Sequence, residues 1–321
     1  MRATLLCLGI ATYAQNSGDA RWLALAERFW ASMVGRKMYI SGGVGADATF
    51  EAFAPDFALP PNAYLETCAA IGSAFFSARM AEITGDGKYM DEVERVAYNA
   101  LLTAVGADGR SYTYQNPLNT DEGKRWDWNG CPCCPPMFLK FTGALPGYIY
   151  ARRADGFAVN LFVGGETVFN CGAAGNIQLV QTTDYPEGGN VEIEVKPERP
   201  VRFSLRVRIP GWARGIENPY GLYVSDGRHR WSMTLNGEAV EPSIENGYAI
   251  LEREWASGDK VTLAFDVSER IVRARPEVGD VAGLVARMRG PVLMARENGR
   301  TIPYYDVANN GPAPHEVWTA E

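Results

Sequence analysis

The sequence predicts an α+β multidomain protein, a helical domain over residues 1–154 followed by one or more β-sandwich domains over 155–321. Two observations carry this. Apolar residues recur at helical spacing up to the neighbourhood of residue 155 and alternate after it. The 321 residues, 46% hydrophobic and 21% charged, suit two soluble domains that each bury a core.

Taken in order, the first helix is expected over 3–15 on Leu5, Leu6, Leu8, Ile10 and Tyr13. A second, over 19–35, follows the turn and N-cap run Asn16-Ser17-Gly18-Asp19 and carries Trp22, Leu23, Leu25, Phe29, Trp30 and Met33. The pair reads as a helical hairpin rather than a cleavable leader. Helices over 63–83 and 87–106 are separated by Gly85-Asp86-Gly87, and a fifth spans 134–152. Antiparallel pairs with tight connections are the pattern of an α/α toroid or bundle. Five helices do not close a toroid, so this half reads as a fragment, or as one that a partner completes. A short extended piece, 111–115, follows the turn dipeptide Asp108-Gly109.

Strands are expected at 157–163, 176–181, 190–195, 202–209, 231–235, 248–254 and 260–266, with Asn236-Gly237 as a hairpin turn. In the fourth, Phe203, Leu205, Val207 and Ile209 alternate with Arg202, Ser204, Arg206 and Arg208, as on a strand buried on one face.

The charge of -7, with its bases scattered, excludes a nucleic-acid or anionic-membrane footprint. No apolar run approaches the roughly 20 residues of a membrane span. The two histidines, His229 and His315, both read as surface residues, which disfavours Ser-His-Asp chemistry and His-rich metal sites. Gly42-Gly43-Val44-Gly45 matches no nucleotide-binding spacing and reads as a loop permitting close backbone approach.

The chemistry lies in Glu66-Thr67-Cys68 and in Cys131-Pro132-Cys133-Cys134-Pro135-Pro136. Thiolates and carboxylates are zinc ligands, and the prolines fix the backbone around adjacent cysteines that do not readily pair with each other. Metal binding is the favoured reading; a disulfide and buried free thiols stay open. Read alone, Glu51 is a solvated loop carboxylate, Glu94 an ion pair or cap on a helix packing face, Tyr114 a core aromatic, and Cys7 and Cys171 buried thiols.

The runs Lys37–Gly45, Glu51-Ala52-Phe53, Asn62–Gly72, Glu94–Asn99, Tyr114–Pro117 and Trp128–Pro136 together resemble glycoside hydrolase family 127, known chiefly for β-L-arabinofuranosidases. So do Thr182–Pro186, Arg208–Trp212 and Arg289-Gly290-Pro291. The resemblance implies an (α/α)6 barrel of which this chain, starting partway through, holds the C-terminal part. It implies zinc on Glu66, Cys68, Cys133 and Cys134, with Cys133 as nucleophile, Glu51 as general acid/base, and Glu94 and Tyr114 on the sugar. Cys131 matches a nearby residue that is not a ligand. The implied reaction is retaining hydrolysis of an L-arabinofuranosyl or related plant cell-wall sugar. The alternatives are a non-catalytic carbohydrate-binding homologue with a structural zinc and, more weakly, a redox protein using Cys131 to Cys134. Thiolates favour a reducing compartment, hence the cytoplasm. The uncovered helix faces of a partial barrel lead to an expected homodimer.

Overall fold

The computed structural model describes residues 1–121, 130–227, 229–307 and 314–321. Trp128 and Asn129, part of the Trp128–Pro136 run, lie outside the described residues.

The chain opens with two antiparallel helices, α1 (Arg2–Ser17) and α2 (Ala20–Arg36). Gly18 ends α1 in the left-handed region, and the Asp19 carboxylate caps α2 by accepting from the Arg21 backbone N–H. Next comes α3 (Thr67–Thr84), buried along almost its whole length. A helix that is apolar on every face has to sit inside, and small residues let its neighbours close in. At Gly72 a β-carbon would stand 2.3 Å from Thr4 Oγ1 of α1. Trp30, Phe75, Phe76, Tyr89 and Val93 form the helical core, and Trp30 Nε1 donates to Ser77 Oγ at 2.9 Å.

Three helix expectations shift. The helix expected from 63 begins at Thr67, because residues up to Glu66 are extended: Leu65 is left-handed (φ 44°) and Glu66 bridges Gln115. The helix expected over 87–106 is α4 (Lys88–Arg95) followed by a π turn, Val96–Leu101. That turn packs under Gly42, where a β-carbon would meet Val96 Cγ2 at 2.7 Å, so the glycine run serves close packing. The last helix, α5 (Cys134–Ala144), breaks before Pro146, and Tyr150–Arg153 is already a strand.

Two sheets then form a sandwich. A six-stranded sheet holds Gly165–Asn170, Asn176–Thr183, Asn190–Pro197, Asp259–Phe265, Trp231–Leu235 and Glu238–Val240. A five-stranded one holds Ile244–Glu245, Tyr248–Trp255, Val201–Arg208, Gly156–Val159 and Tyr150–Arg153. Their inward residues share one core around Phe157, Leu179, Ile193, Leu205 and Trp255. The Asn236-Gly237 hairpin forms as expected, both residues at positive φ.

The alternation expected on Val201–Arg208 fails on its outer face. Ser204 is buried, and Arg208 is 0% exposed because that end of the strand lies against α4, where Arg208 meets Asp91 and Glu94.

A third, eight-stranded sheet gathers the six described strands after residue 268 together with Tyr223–Ser225 and the early pair Asn119–Thr120. Its core joins Tyr39, Ile40 and Leu118 to Leu222, Met288 and Trp318. His315 belongs here. It is buried, contrary to the surface expectation, with Nε2 3.1 Å from the Pro117 carbonyl and its ring against Tyr304. His229 is half-buried, hydrogen-bonded to Ser225 and the Trp212 carbonyl.

Candidate metal centre and active site

Two helix N-termini deliver the thiols. Cys68 lies in the first turn of α3, and Cys134 opens α5 with Cys133 just before it; Pro135 and Pro136 occupy first-turn positions that need no N–H. The kink that turns Cys133 inward is held by its N–H, which donates to the Cys131 carbonyl at 2.9 Å.

The result is a triangle of sulfurs: Cys68 to Cys133 is 3.1 Å, Cys68 to Cys134 is 3.6 Å and Cys133 to Cys134 is 3.9 Å. Cys68, Cys133 and Cys134 are joined by no disulfide, so the disulfide reading falls for them. A tetrahedral zinc with Zn–S bonds of ~2.3 Å sets its sulfurs roughly 3.8 Å apart. The triangle therefore fits a thiolate-bound ion in both chemistry and size. Left as thiols, the group is a poor arrangement. The hydrogen bond to Cys134 and burial push Cys68 well up, burial pushes Cys133 up to about 11, and the bond to Cys68 holds Cys134 below its ordinary value.

Glu66, buried at 3% exposure, is not in the triangle. Its Oε2 accepts from the Met1 α-ammonium at 2.8 Å, while its charge is felt at Cys134, Tyr64 and Tyr114.

Accessibility separates the three sulfurs. Cys68 and Cys134 are fully buried; Cys133 is half-buried. Tyr114 stands on its open side, interacting with the Cys133 thiol and donating to Glu51 Oε1 at 3.3 Å. Tyr64 donates to the same oxygen at 3.3 Å. Glu51 is half-exposed and left-handed (φ 49°), at the end of a tight loop closed by an Asp47–Ala52 bridge; Arg2 lies 3.7 Å from its Oε2. The fold thus joins Glu51, Tyr114 and Cys133 from three separate segments. Tyr64 and Arg2 were not singled out from sequence; Tyr64 sits inside the Asn62–Gly72 run, and Arg2 had no signal.

Glu94 lies elsewhere in this geometry. It is buried at the junction with the sandwich, its Oε1 accepting from Arg208 and, at 2.9 Å, from the Tyr185 hydroxyl, which is the ion pair read for it unaided. Cys131 is exposed, and Cys7 and Cys171 are half-buried.

Comparison with known proteins follows the same division. Residues 1–147 match the family model for the GH127 catalytic domain of β-L-arabinofuranosidases, and 156–267 match its middle domain. A non-reducing end β-L-arabinofuranosidase of Bifidobacterium longum is 31% identical over 92% of this chain, which spans 45% of that protein. A solved GH127 β-arabinofuranosidase superposes with a TM-score of 0.95 at 32% identity, over 99% of this chain and 59% of its own. A GH127 β-L-arabinofuranosidase from Geobacillus stearothermophilus gives 0.89 at 30%, over 100% and 60%. The chain spans less than half the length of the curated relative it matches.

Proposed function

The chain belongs to glycoside hydrolase family 127, and from that premise we propose that it releases non-reducing-end β-L-arabinofuranose from arabino-oligosaccharides or glycoconjugates with retention of configuration. The observation that carries the reading is the placement of Cys133. It is the one thiol of the triangle that is not fully buried, and Tyr114 ties it to Glu51.

In this reading the helices are part of an (α/α)6 barrel, and Cys68, Cys133, Cys134 and Glu66 hold a zinc ion. For Glu66 to join, its carboxylate has to leave the Met1 ammonium. Zinc bound there supplies the positive charge that keeps thiol ligands deprotonated at neutral pH. Glu51, on the open side, donates a proton to the departing glycosidic oxygen as the Cys133 sulfur attacks the anomeric carbon. The thioglycosyl intermediate on Cys133 is then hydrolysed by a water from which Glu51 takes a proton, restoring both groups. Tyr114 orients Glu51 and contacts the sugar. Glu94 is the other sugar contact implied by the resemblance, with Arg208 and Tyr185 holding its Oε1.

Free thiols favour a reducing compartment, and we place the protein in the cytoplasm on that ground. No helix among the described residues is long and apolar enough to cross a membrane. Leu6 on α1 and Leu139 on α5, 67% and 68% exposed, mark faces that a second copy covers in a homodimer.

The test is metal content and hydrolysis of p-nitrophenyl β-L-arabinofuranoside on one purified, reduced sample. One zinc per chain with turnover supports the proposal. Zinc without turnover favours the alternative, a carbohydrate-binding homologue with a structural zinc. No zinc removes both.

A further inference from the structure

The matched catalytic and middle domains end at residue 267, yet the sheet built from the residues beyond it closes directly onto the loop that carries Tyr114. We infer that this C-terminal sheet positions the thiol centre, and that Asn116 is the positioning residue through which it acts. The inference rests on the metal reading above.

Asn116 is buried at 6% exposure where three segments meet. Its Nδ2 donates to Thr67 Oγ1 at 2.8 Å and to the Leu65 carbonyl at 3.3 Å, and its backbone N–H donates to the same carbonyl at 3.1 Å. Its Oδ1 accepts from Thr113 Oγ1 at 2.5 Å. One carboxamide thus grips the residues on either side of Glu66. Leu65 is left-handed, a conformation that residues with side chains rarely adopt and that persists only where the surroundings impose it. Here its N–H is fixed by the Gly45 carbonyl at 3.1 Å and its carbonyl by Asn116. From that kink the chain passes through Glu66 into the first turn of α3, which carries Cys68. The Thr67 N–H completes the grip by donating to the Tyr114 carbonyl at 3.0 Å.

The other side of Asn116 belongs to the sheet. The Tyr304 hydroxyl, on a side chain 1% exposed, donates to the Asn116 carbonyl at 3.2 Å and to that of Pro117 at 3.1 Å. His315 Nε2 reaches the Pro117 carbonyl, and Val317 N–H donates to the Leu118 carbonyl at 3.0 Å. The Asn119 side chain accepts from Val317 and Trp318 and donates to the Trp318 carbonyl at 2.8 Å. A continuous hydrogen-bonded path therefore runs from the sheet through Asn116 to Leu65 and Thr67, the residues on either side of Glu66. Buried groups with every bond made hold ligands to tighter geometry than packing alone.

The test uses the full chain in metal-free, reduced form, titrated with cobalt(II). Thiolate-to-cobalt charge transfer and d–d absorption report ligand geometry, chelator competition gives Kd, and melting of the metal-free protein is followed in parallel. Asn116→Asp keeps the size but turns the Nδ2 donor into an acceptor facing the Leu65 carbonyl. It is expected to weaken cobalt binding ~10–100-fold and shift the d–d bands while the metal-free melt stays within a few degrees of wild type. Tyr304→Phe removes only the hydroxyl and is expected to weaken binding about 3–10-fold, by less in the Asn116→Asp background than alone. Wild-type Kd and spectrum in folded Asn116→Asp overturn the inference, as does a loss of affinity that merely tracks a falling melt. If Asn116→Asp does not fold, unchanged cobalt affinity in Tyr304→Phe overturns it. Wild-type protein that takes up no cobalt sinks the metal reading itself, a result distinct from cobalt binding that ignores Asn116.

Discussion

Two buried polar centres lie in this molecule, and they are built on opposite plans. At the thiol triangle, Cys68 and Cys134 are fully buried and their nearest polar neighbours are other sulfurs. At the junction of α4 with the sandwich, Arg208 is equally buried, but it is met by Asp91 and Glu94, and Glu94 is met by Tyr185. Nearby, Arg270 is bonded to both oxygens of Glu217, and Arg95 to Glu92. Burial opposes the Arg208 charge, but Glu94 and Asp91 outweigh it and keep the guanidinium protonated. The junction supplies its own opposite charges and is architecture. The triangle gathers three thiols that face one another with only Tyr114 beside Cys133, the arrangement the proposed zinc reading calls for.

Four substitutions sharpen or break that contrast. Cys133→Ser has the largest expected effect: zinc content falls well below one per chain and turnover disappears, read by metal analysis and hydrolysis on the same sample. Retained turnover would remove the nucleophile assignment. Glu51→Gln is expected to keep full zinc content and lose about 10²–10⁴-fold in kcat, since it removes proton transfer without touching a thiol. At the junction the readout reverses. Arg208→Met leaves Glu94 buried without its cation and Asp91 with Arg214 alone, with an expected loss of about 3–5 kcal/mol in denaturant unfolding and unchanged zinc content. Loss of zinc in that variant would mean the two centres are not independent.

The smallest effect is a pH dependence. Burial raises Glu217, but Arg270 and Arg95 outweigh it and hold the carboxyl below its ordinary range. A carboxyl lowered in the folded state stabilises fully above its unfolded pKa of about 4.3, and that stability is lost as pH falls through the folded value. Glu217→Gln should therefore melt below wild type at pH 7, with the gap closing on acidification below about pH 4. A gap independent of pH would show that Glu217 acts by packing.

What the sequence made legible follows the same division. The hairpin turn at Asn236-Gly237 and the α1–α2 pair rest on local signals, turn chemistry and capping, whereas the convergence of Cys68 with Cys133 and Cys134 across 65 and 66 residues is legible only in the ligand chemistry of the two segments and the family resemblance. Long-range pairing carried no such signal. Arg208 looks solvent-facing in a strand with clean alternation, and only the packing of α4 on that face, with Glu94 114 residues away in sequence, makes it core. His315 looks like a surface residue because nothing near it announces that Pro117 will cover it. The π turn after Arg95 and the left-handed Leu65 are likewise imposed by tertiary contacts, with Gly42 against Val96 and with Gly45 and Asn116.

The pairing of Asn119–Thr120 with His315–Glu316 also bears on the order of events during synthesis. The bond from Val317 to Asn119 joins residues 198 positions apart, so the loop carrying Tyr114 and Asn116 emerges from the ribosome long before the strand that locks it. At ~5–20 residues per second that interval lasts on the order of 10–40 s. From residue 171 onward all six cysteines have been made while the strand beside the Tyr114 loop is still missing. On the proposed zinc reading, metal delivered early would meet a loose set of thiols, and metal delivered after the last sheet closes would meet a formed one.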